Sequence, residues 1–502
     1  MSGALPLGWR WATFSDVAHI AANLVDPKDF PNLPHIAPDN IERSTGRLLA
    51  YRTVKQDGVT SANHRFYPGQ LLYSKIRPYL NKCVRVEFEG LCSADMYPLD
   101  PLIEPGYLHH YILTREFVSA VTKAAGSRTV LPKTNQKQLA NVPVPVAPSE
   151  QQPAIVAAID SHFSRLDAAT ATLERVQRNL ERYRASVLKA AVEGRLVPTE
   201  ADLAKKEGRS FEPASVLLKR ILAERRRRWE EAELAKLKAK GKPPTDDRWR
   251  ARYKEPALVD SEHLPELPAG WCWASLDQVV VVGPQNGLYV PKSSYGRGTS
   301  IVRVDDYQDQ FSRAASELLR VSIDEGRAEA YGLAVGDLLV NRVNSPTHLG
   351  KSLVAEARHV PAVFESNIMR MRISGGLLPT FVHYYLCSLD GRRRLLANAK
   401  WAVNQASINQ QDVLTTPLPL PPADEAARIA MAIEEAVMAK SSVQASVGAS
   451  LRHVARLRQS LLKWAFEGRL VDQHPEGAPT RALVDNPATM RRPASTEPSA
   501  RR

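Results

Sequence analysis

Two stretches of the chain set basic and amide side chains in or just behind an apolar run. GQLLYSKIRP, from Gly69, carries Lys75 and Arg77 and is followed by Lys82; GDLLVNRVNSP, from Gly336, carries Arg342 and Asn344 and is followed by Lys351. Two polar segments further along add Arg128, Lys133 and Asn135, then Lys400, Asn404 and Asn409. Guanidinium and carboxamide groups can make paired hydrogen bonds to nucleobase edges, whereas phosphate needs only a cation. Contact with nucleic acid is therefore the chemistry this set could do. Each residue could equally be an exposed solubilising group, and Asn135 and Asn409 suit turns or helix caps as well as base edges.

Other chemistries find less support. SPTHLGKS, from Ser345, approaches a phosphate loop but lacks the opening glycine, and strand pattern rather than a helix follows it. There is no G-x-S-x-G, no H-E-x-x-H and no N/D-P-P-Y/F. His109 and His383 have no partner ligands at metal spacing, so packing or capping accounts for them better. Cys83, Cys92, Cys272 and Cys387 are scattered without a C-x-x-C pair, which argues against zinc and against a disulfide framework. A binding protein with no metal and no cofactor of its own is expected. The 67 Lys+Arg against 54 Asp+Glu leave +13, and the pI is near 9.5, so a polyanionic partner is the first to consider. The N-terminus lacks a signal-peptide pattern and no window is apolar enough to span a bilayer; a cytoplasmic, reduced location without membrane contact is expected.

The elements that must position these residues occur twice. SVLKAAVEGRLV at Ser186–Val197 returns as SLLKWAFEGRLV at Ser460–Val471, 274 positions later. LPLGWRWATFSDV from Leu5 returns as LPAGWCWASLDQV from Leu267 at an offset of 262, and the two basic stretches lie 267 apart. Ordered repeats with drifting offsets mark two copies of one unit that gained loops while keeping elements. Strands are expected at 70–76 and 83–88, a helix at 105–125, and strands at 278–282, 300–304, 337–343 and 369–373.

From Ser149 the pattern becomes heptad. Ile159, Leu166, Leu173, Leu180 and Val187 recur every seven residues, and Ile433, Val447, Val454 and Leu461 are their counterparts in the second copy. Lys440 and Ser450 interrupt that second seam. Two coiled-coil helices follow, each closed by a glycine. The expected organisation is a mixed α/β domain at 1–148, a long helix at 149–197, a charged helical spacer at 198–264, a second domain at 265–422, a second long helix at 423–472 and a disordered tail at 473–502. The expected fold class is α+β, with two homologous domains separated by long helices paired as an antiparallel coiled coil; parallel pairing would instead place both domains together. The Arg225–Arg228 run in the spacer could meet phosphate, but a solvated helix face is the plainer account.

The order globular–rod–globular–rod resembles the specificity subunit of Type I restriction–modification systems. LPLGW and LPAGW carry the resemblance, with the paired GQLLYSKIRP and GDLLVNRVNSP stretches. TNQKQLANVPVPVAPSEQQPAIVAAI, its partner SINQQDVLTTPLPLPPADEAARIAMAI and the two EGRLV ends complete it. The resemblance implies two target-recognition domains, each reading half of a split site in double-stranded DNA, with the helices fixing the gap. It also implies two methyltransferase subunits docked mainly on the helices and carrying S-adenosylmethionine. A restriction subunit using ATP and Mg joins in systems that have one. A methyltransferase or nuclease hidden in the second domain, and a coiled-coil scaffold with protein-binding ends, are the rival accounts.

Overall fold

A computed structural model of the chain describes residues 5–125, 132–241, 244, 246–308, 311–345, 347–374, 379–403 and 405–471. The tail expected at 473–502, together with Arg128 and Asn404, lies outside the described residues, as does the side chain of Asn344. The chain divides into two compact units, Met1–Glu174 with Gly448–Arg502, and Arg175–Val447.

The first unit is built on an antiparallel sheet ordered Ala18–Ile20, Met96–Pro101, Leu71–Ser74, Cys83–Arg85. Leu71 and Tyr73 enter the main core, and Leu72 enters a smaller core with Ile36, Phe66 and Val84. Alternate side chains of a strand point to opposite faces, and both faces are covered here. That is why LLYS reads as a continuous apolar run. The second unit repeats the arrangement with Val280–Asn286, Ile368–Ile373, Asp337–Asn341 and Ser352–Val354. Leu338 and Val340 face its main core and Leu339 the smaller one.

A second motif pair meets in each unit. Arg10–Thr13, from the LPLGW segment, pairs with Pro143–Val146, and Cys272–Ser275 pairs with Pro417–Leu420. Prolines at alternate positions are tolerated because each ribbon has only two strands, leaving the proline side off any further ladder. The helix expected at 105–125 is two helices, Pro105–Ile112 and Arg115–Ala125. Thr114 makes the break: its hydroxyl donates to the Tyr111 carbonyl and accepts from the Phe117 amide at 3.1 Å, ending one helix and capping the next.

The long helices are Gln152–Val192 and Ala423–Phe466. Within the first unit, Asp167 of one meets Arg458 of the other, whose guanidinium lies 4.1 Å from the Phe163 ring centroid. Nearer the start of the first helix, Ile155 and Ile159 share a core with Leu462, Ala465 and Phe466. Within the second unit, Glu181 meets Lys440, while Val187 and Leu188 share a core with Ile433 and Ile429. Sequence rises along one helix as it falls along the other, so the pair is antiparallel inside each unit. Of the seam residues, Ile159, Val187, Ile433 and Val447 are buried; Leu166, Leu173, Leu180, Val454 and Leu461 are half-buried. Lys440 is only 6% exposed, and its ammonium reaches a Glu181 carboxylate oxygen at 2.9 Å, which accommodates the break in the heptads.

Both helices stop the same way. Gly194 and Gly468 have φ of 65° and 67°, and the amides of Arg195 and Arg469 donate to the carbonyls of Ala190 and Trp464, each at 2.8 Å. This six-to-one bond around a left-handed glycine is a C-cap, and it explains the repeated EGR. A Cβ on Gly194 would also stand 2.5 Å from the Pro268 ring of the LPAGW segment. The first EGRLV therefore closes the second unit, and the second, through Phe466, Leu470 and Val471, closes the first.

The spacer holds helices Glu200–Glu207 and Ala214–Ala239. Arg225 binds both the carbonyl and the carboxylate of Asp277, and Arg227 and Arg228 pair with Glu224 on their own helix. The arginine run is thus largely engaged within the unit.

Gln70 and Asp337 occupy the same place in the repeat and cap the same turn, accepting from the Tyr67 amide at 2.8 Å and the Ala334 amide at 2.9 Å. Across the sheet Gln70 donates to Asp100, whereas Asp337 pairs with Arg372 at 2.7 Å and Arg370 at 3.8 Å. The acid has changed strands, so this difference between the copies is a structural compensation. Burial pulls the Arg370 guanidinium below its usual pKa and Asp337 opposes that. Asp337→Ala should therefore destabilise the second unit by about 3 kcal/mol, since it leaves a buried cation unpaired. Gln70→Ala should cost about 1–2 kcal/mol; urea titrations of both variants check the difference.

Candidate nucleic-acid interface

The two basic segments of each copy, far apart in sequence, are brought together by one recurring contact. Ile76 bridges to Lys133 in the first unit, and Val343 pairs with Ser407 in the second. Flanking bonds match: the Thr134 amide donates to the Lys75 carbonyl at 2.8 Å, and the Ile408 amide to the Arg342 carbonyl at 2.9 Å. The turn after the central strand and the polar segment before the closing ribbon therefore form one edge in both copies.

In the first unit Arg77 is an exposed cation of that edge. Its φ is 47°, a left-handed conformation uncommon outside glycine. Two bonds hold it there: its amide donates to the Pro132 carbonyl at 2.8 Å and its carbonyl accepts from the Leu80 amide at 2.8 Å. Backbone strain of this kind gathers at functional sites. No ion pair of Arg77 is found among the described residues. Tyr79, also exposed, stands two residues away. The remaining cations are engaged. Lys75 lies 5.2 Å from the Tyr97 ring centroid, and Lys133 reaches Asp95 at 3.1 Å. Lys82 is bonded to the Pro38 carbonyl at 2.6 Å and neighbours Asp39.

In the second unit the edge is a small sheet of Val343–Asn344, Gln405–Ser407 and Lys400–Ala402. Lys400 is exposed on the outer strand. Arg342 is half-buried with its guanidinium on the Ser366 carbonyl at 3.2 Å, and the Lys351 ammonium lies 3.4 Å from His348 Nδ1. Asn135 and Asn409 take the cap role. Each accepts from an amide three residues on, at 2.8 and 3.0 Å, and each has its own amide capped in return by Gln138 or Asp412. Exposed Trp401 and Val403, and Tyr79 in the first unit, were not singled out by sequence; an aromatic inside an otherwise polar segment was the available signal.

His109 and His383 pack as expected of non-ligands. His109 faces the Cys83 carbonyl, and His383 Nδ1 is 2.9 Å from the Ser352 hydroxyl. Among the described residues no group of His, Cys, Asp and Glu is placed to hold a metal ion, and no helix is long and apolar enough to cross a membrane. Burial, with His110 beside it, pulls the His109 imidazole down to about 3. The folded first unit therefore refuses a proton that the unfolded chain accepts below about pH 6.5. Its contribution is intact above that pH and is lost as pH falls toward 3, by up to about 1.4 kcal/mol per pH unit. Urea midpoints that decline on going from about pH 7 to about pH 5, and decline less in His109→Gln, are the expected result.

No family model matches the chain. The EcoDI specificity subunit of a Type I restriction enzyme from Escherichia coli is 41% identical over 226 residues, which are 44% of this chain and 50% of that protein. The StySPI specificity subunit from Salmonella potsdam is 24% identical over 490 residues, covering 94% of this chain and 91% of the relative. Both relatives are Type I restriction specificity subunits, and this chain is similar to them. It spans half the length of the EcoDI subunit. A chain from a solved structure concerned with assembly and conformational transition of the type I R-M system aligns over 93% of this chain and 100% of its own length. Its TM-score is 0.59 at 19% identity, which supports the fold. The relatives are named as the specificity component of their enzymes, in agreement with the expectation of a non-catalytic subunit.

Proposed function

We propose that this chain is the DNA-recognition subunit of a Type I restriction–modification complex, each unit reading one half of a split site in double-stranded DNA. The recurring bridge that joins the post-strand turn to the polar segment, Ile76–Lys133 and Val343–Ser407, carries the proposal. One chain with two equivalent reading edges suits a bipartite target. Arg77 and Lys400 are the side chains we assign to the first contact with DNA. Lys75, Lys82, Lys133, Arg342, Asn344 and Lys351 form the surrounding set, with Arg128 and Asn404 placed by sequence alone. The helix pair sets the spacing between half-sites and docks two methyltransferase subunits, which supply S-adenosylmethionine. ATP and Mg enter with a restriction subunit where one is present. The chain itself acts in the cytoplasm and holds no cofactor.

Co-expression with the methyltransferase subunit, followed by mapping of methylated adenines, should return a split motif. Arg77→Ala should weaken binding of the complex to that motif by about 1–3 kcal/mol if the guanidinium reads a base, and relax selectivity in one half only. Loss of the salt slope by about one unit with selectivity unchanged would assign Arg77 to phosphate instead. Methylation without sequence preference, or transfer by the pure chain alone, would sink the proposal.

A further inference from the structure

The hairpin that carries Lys400 presents two apolar side chains that its unit does not use. Lys400–Ala402 and Gln405–Ser407 pair as the outer and middle strands of the small sheet, with Lys400 opposite Ser407 and Trp401 opposite Ala406. Ala406 is buried in the main core of the unit, yet Trp401 is 59% exposed and Val403, at the turn, 92% exposed. Neither belongs to any of the three apolar cores of the second unit. An exposed tryptophan and valine on a strand edge invite aggregation unless a partner covers them. The other outer strand of the same sheet, Val343–Asn344, follows Arg342 directly, so the apolar side chains stand on the sheet assigned above to DNA.

We infer that the exposed outer strand Lys400–Ala402 and Val403 beside it meet the major groove of duplex DNA and that Val403 and Trp401 read the 5-methyl group of a thymine. The inference rests on the proposed function and adds a specificity element to it. The thymine methyl is the one apolar group displayed in the major groove, and apolar side chains meet it there. Lys400 on the outer strand and the net charge of +13 supply the attraction to the duplex. Trp401 and Val403 supply apolar contact that a cation cannot.

The test uses the full chain assembled with its methyltransferase subunits and the site mapped by methylation. Each thymine of the site is replaced in turn by deoxyuridine, which removes only the methyl group, and binding is titrated at fixed salt. One or two positions, all in one half-site, should bind about three- to tenfold more weakly, as expected for losing a buried methyl contact. Val403→Ser should bind the parent duplex more weakly by a similar factor and no longer distinguish thymine from deoxyuridine there. Trp401→Ala should weaken binding further. Both residues are exposed, so an unchanged melting temperature is expected to accompany the loss. Equal binding of every deoxyuridine duplex, or parent-like discrimination by both variants, overturns the inference while sequence-selective binding leaves the proposed function standing. A complex that shows no sequence selectivity at all overturns both.

Discussion

Ile433→Asp is expected to unfold the second unit. Ile433 is 1% exposed and packs with Val187, Leu188 and Ile429 where the two long helices meet the main core. The substitution removes an apolar side chain from that core and buries a carboxylate there. The combined cost is on the order of 5 kcal/mol or more, comparable with the whole stability of a domain. Met431→Asp, two residues earlier and well exposed, is the control and should lie within about 0.5 kcal/mol of the parent. Thermal melts of both full-length variants decide it. A melting temperature for Ile433→Asp equal to that of the parent would show that the helix does not close this core.

Phe466→Ala should cost the first unit about 3–5 kcal/mol. Its ring meets Tyr107 and Tyr111 edge-on, with centroids 5.0 and 5.1 Å away. The two tyrosine hydroxyls in turn donate to the carbonyls of Pro145 at 2.8 Å and Pro143 at 2.7 Å, clamping the proline-rich strand of the closing ribbon. Removing the ring leaves a cavity beneath both clamps, and large cavities in aromatic clusters relax poorly. Trp464→Ala is the contrast: Trp464 is 45% exposed and its loss should change the melting temperature little. If the two variants melt together, Phe466 does not anchor the second long helix to this unit.

The helices were legible in sequence because heptads and terminal glycines are local signals. The helices Gln152–Val192 and Ala423–Phe466 lie inside the expected 149–197 and 423–472. The central strands were legible for a similar reason, since LLYS and DLLVN are buried on both faces and read as unbroken apolar runs. The break at Thr114 was not, because a threonine hydroxyl that ends one helix and caps another looks in sequence like any mid-helix threonine. Where Lys440 interrupts the heptads, the seam is mended by its pair with Glu181, which sequence periodicity alone could not show. Of the candidate interface, sequence located both segments but could not distinguish cations held by their own unit, such as Lys82 on the Pro38 carbonyl, from those left outward, such as Arg77. That distinction depends on which carbonyls and carboxylates the fold brings nearby.

Phe466, Leu470 and Val471 complete a core whose other members, apart from those on the same helix, run from Leu5 to Leu166, some three hundred residues upstream. On the ribosome, the first unit must therefore wait until the codons of the second long helix have been read before its final wall arrives. The unit enclosed by the middle of the message has all its pieces earlier. A nonsense mutation shortly before Leu461 would accordingly spare the later-encoded unit and leave the earlier one unfinished, the reverse of what gene order suggests.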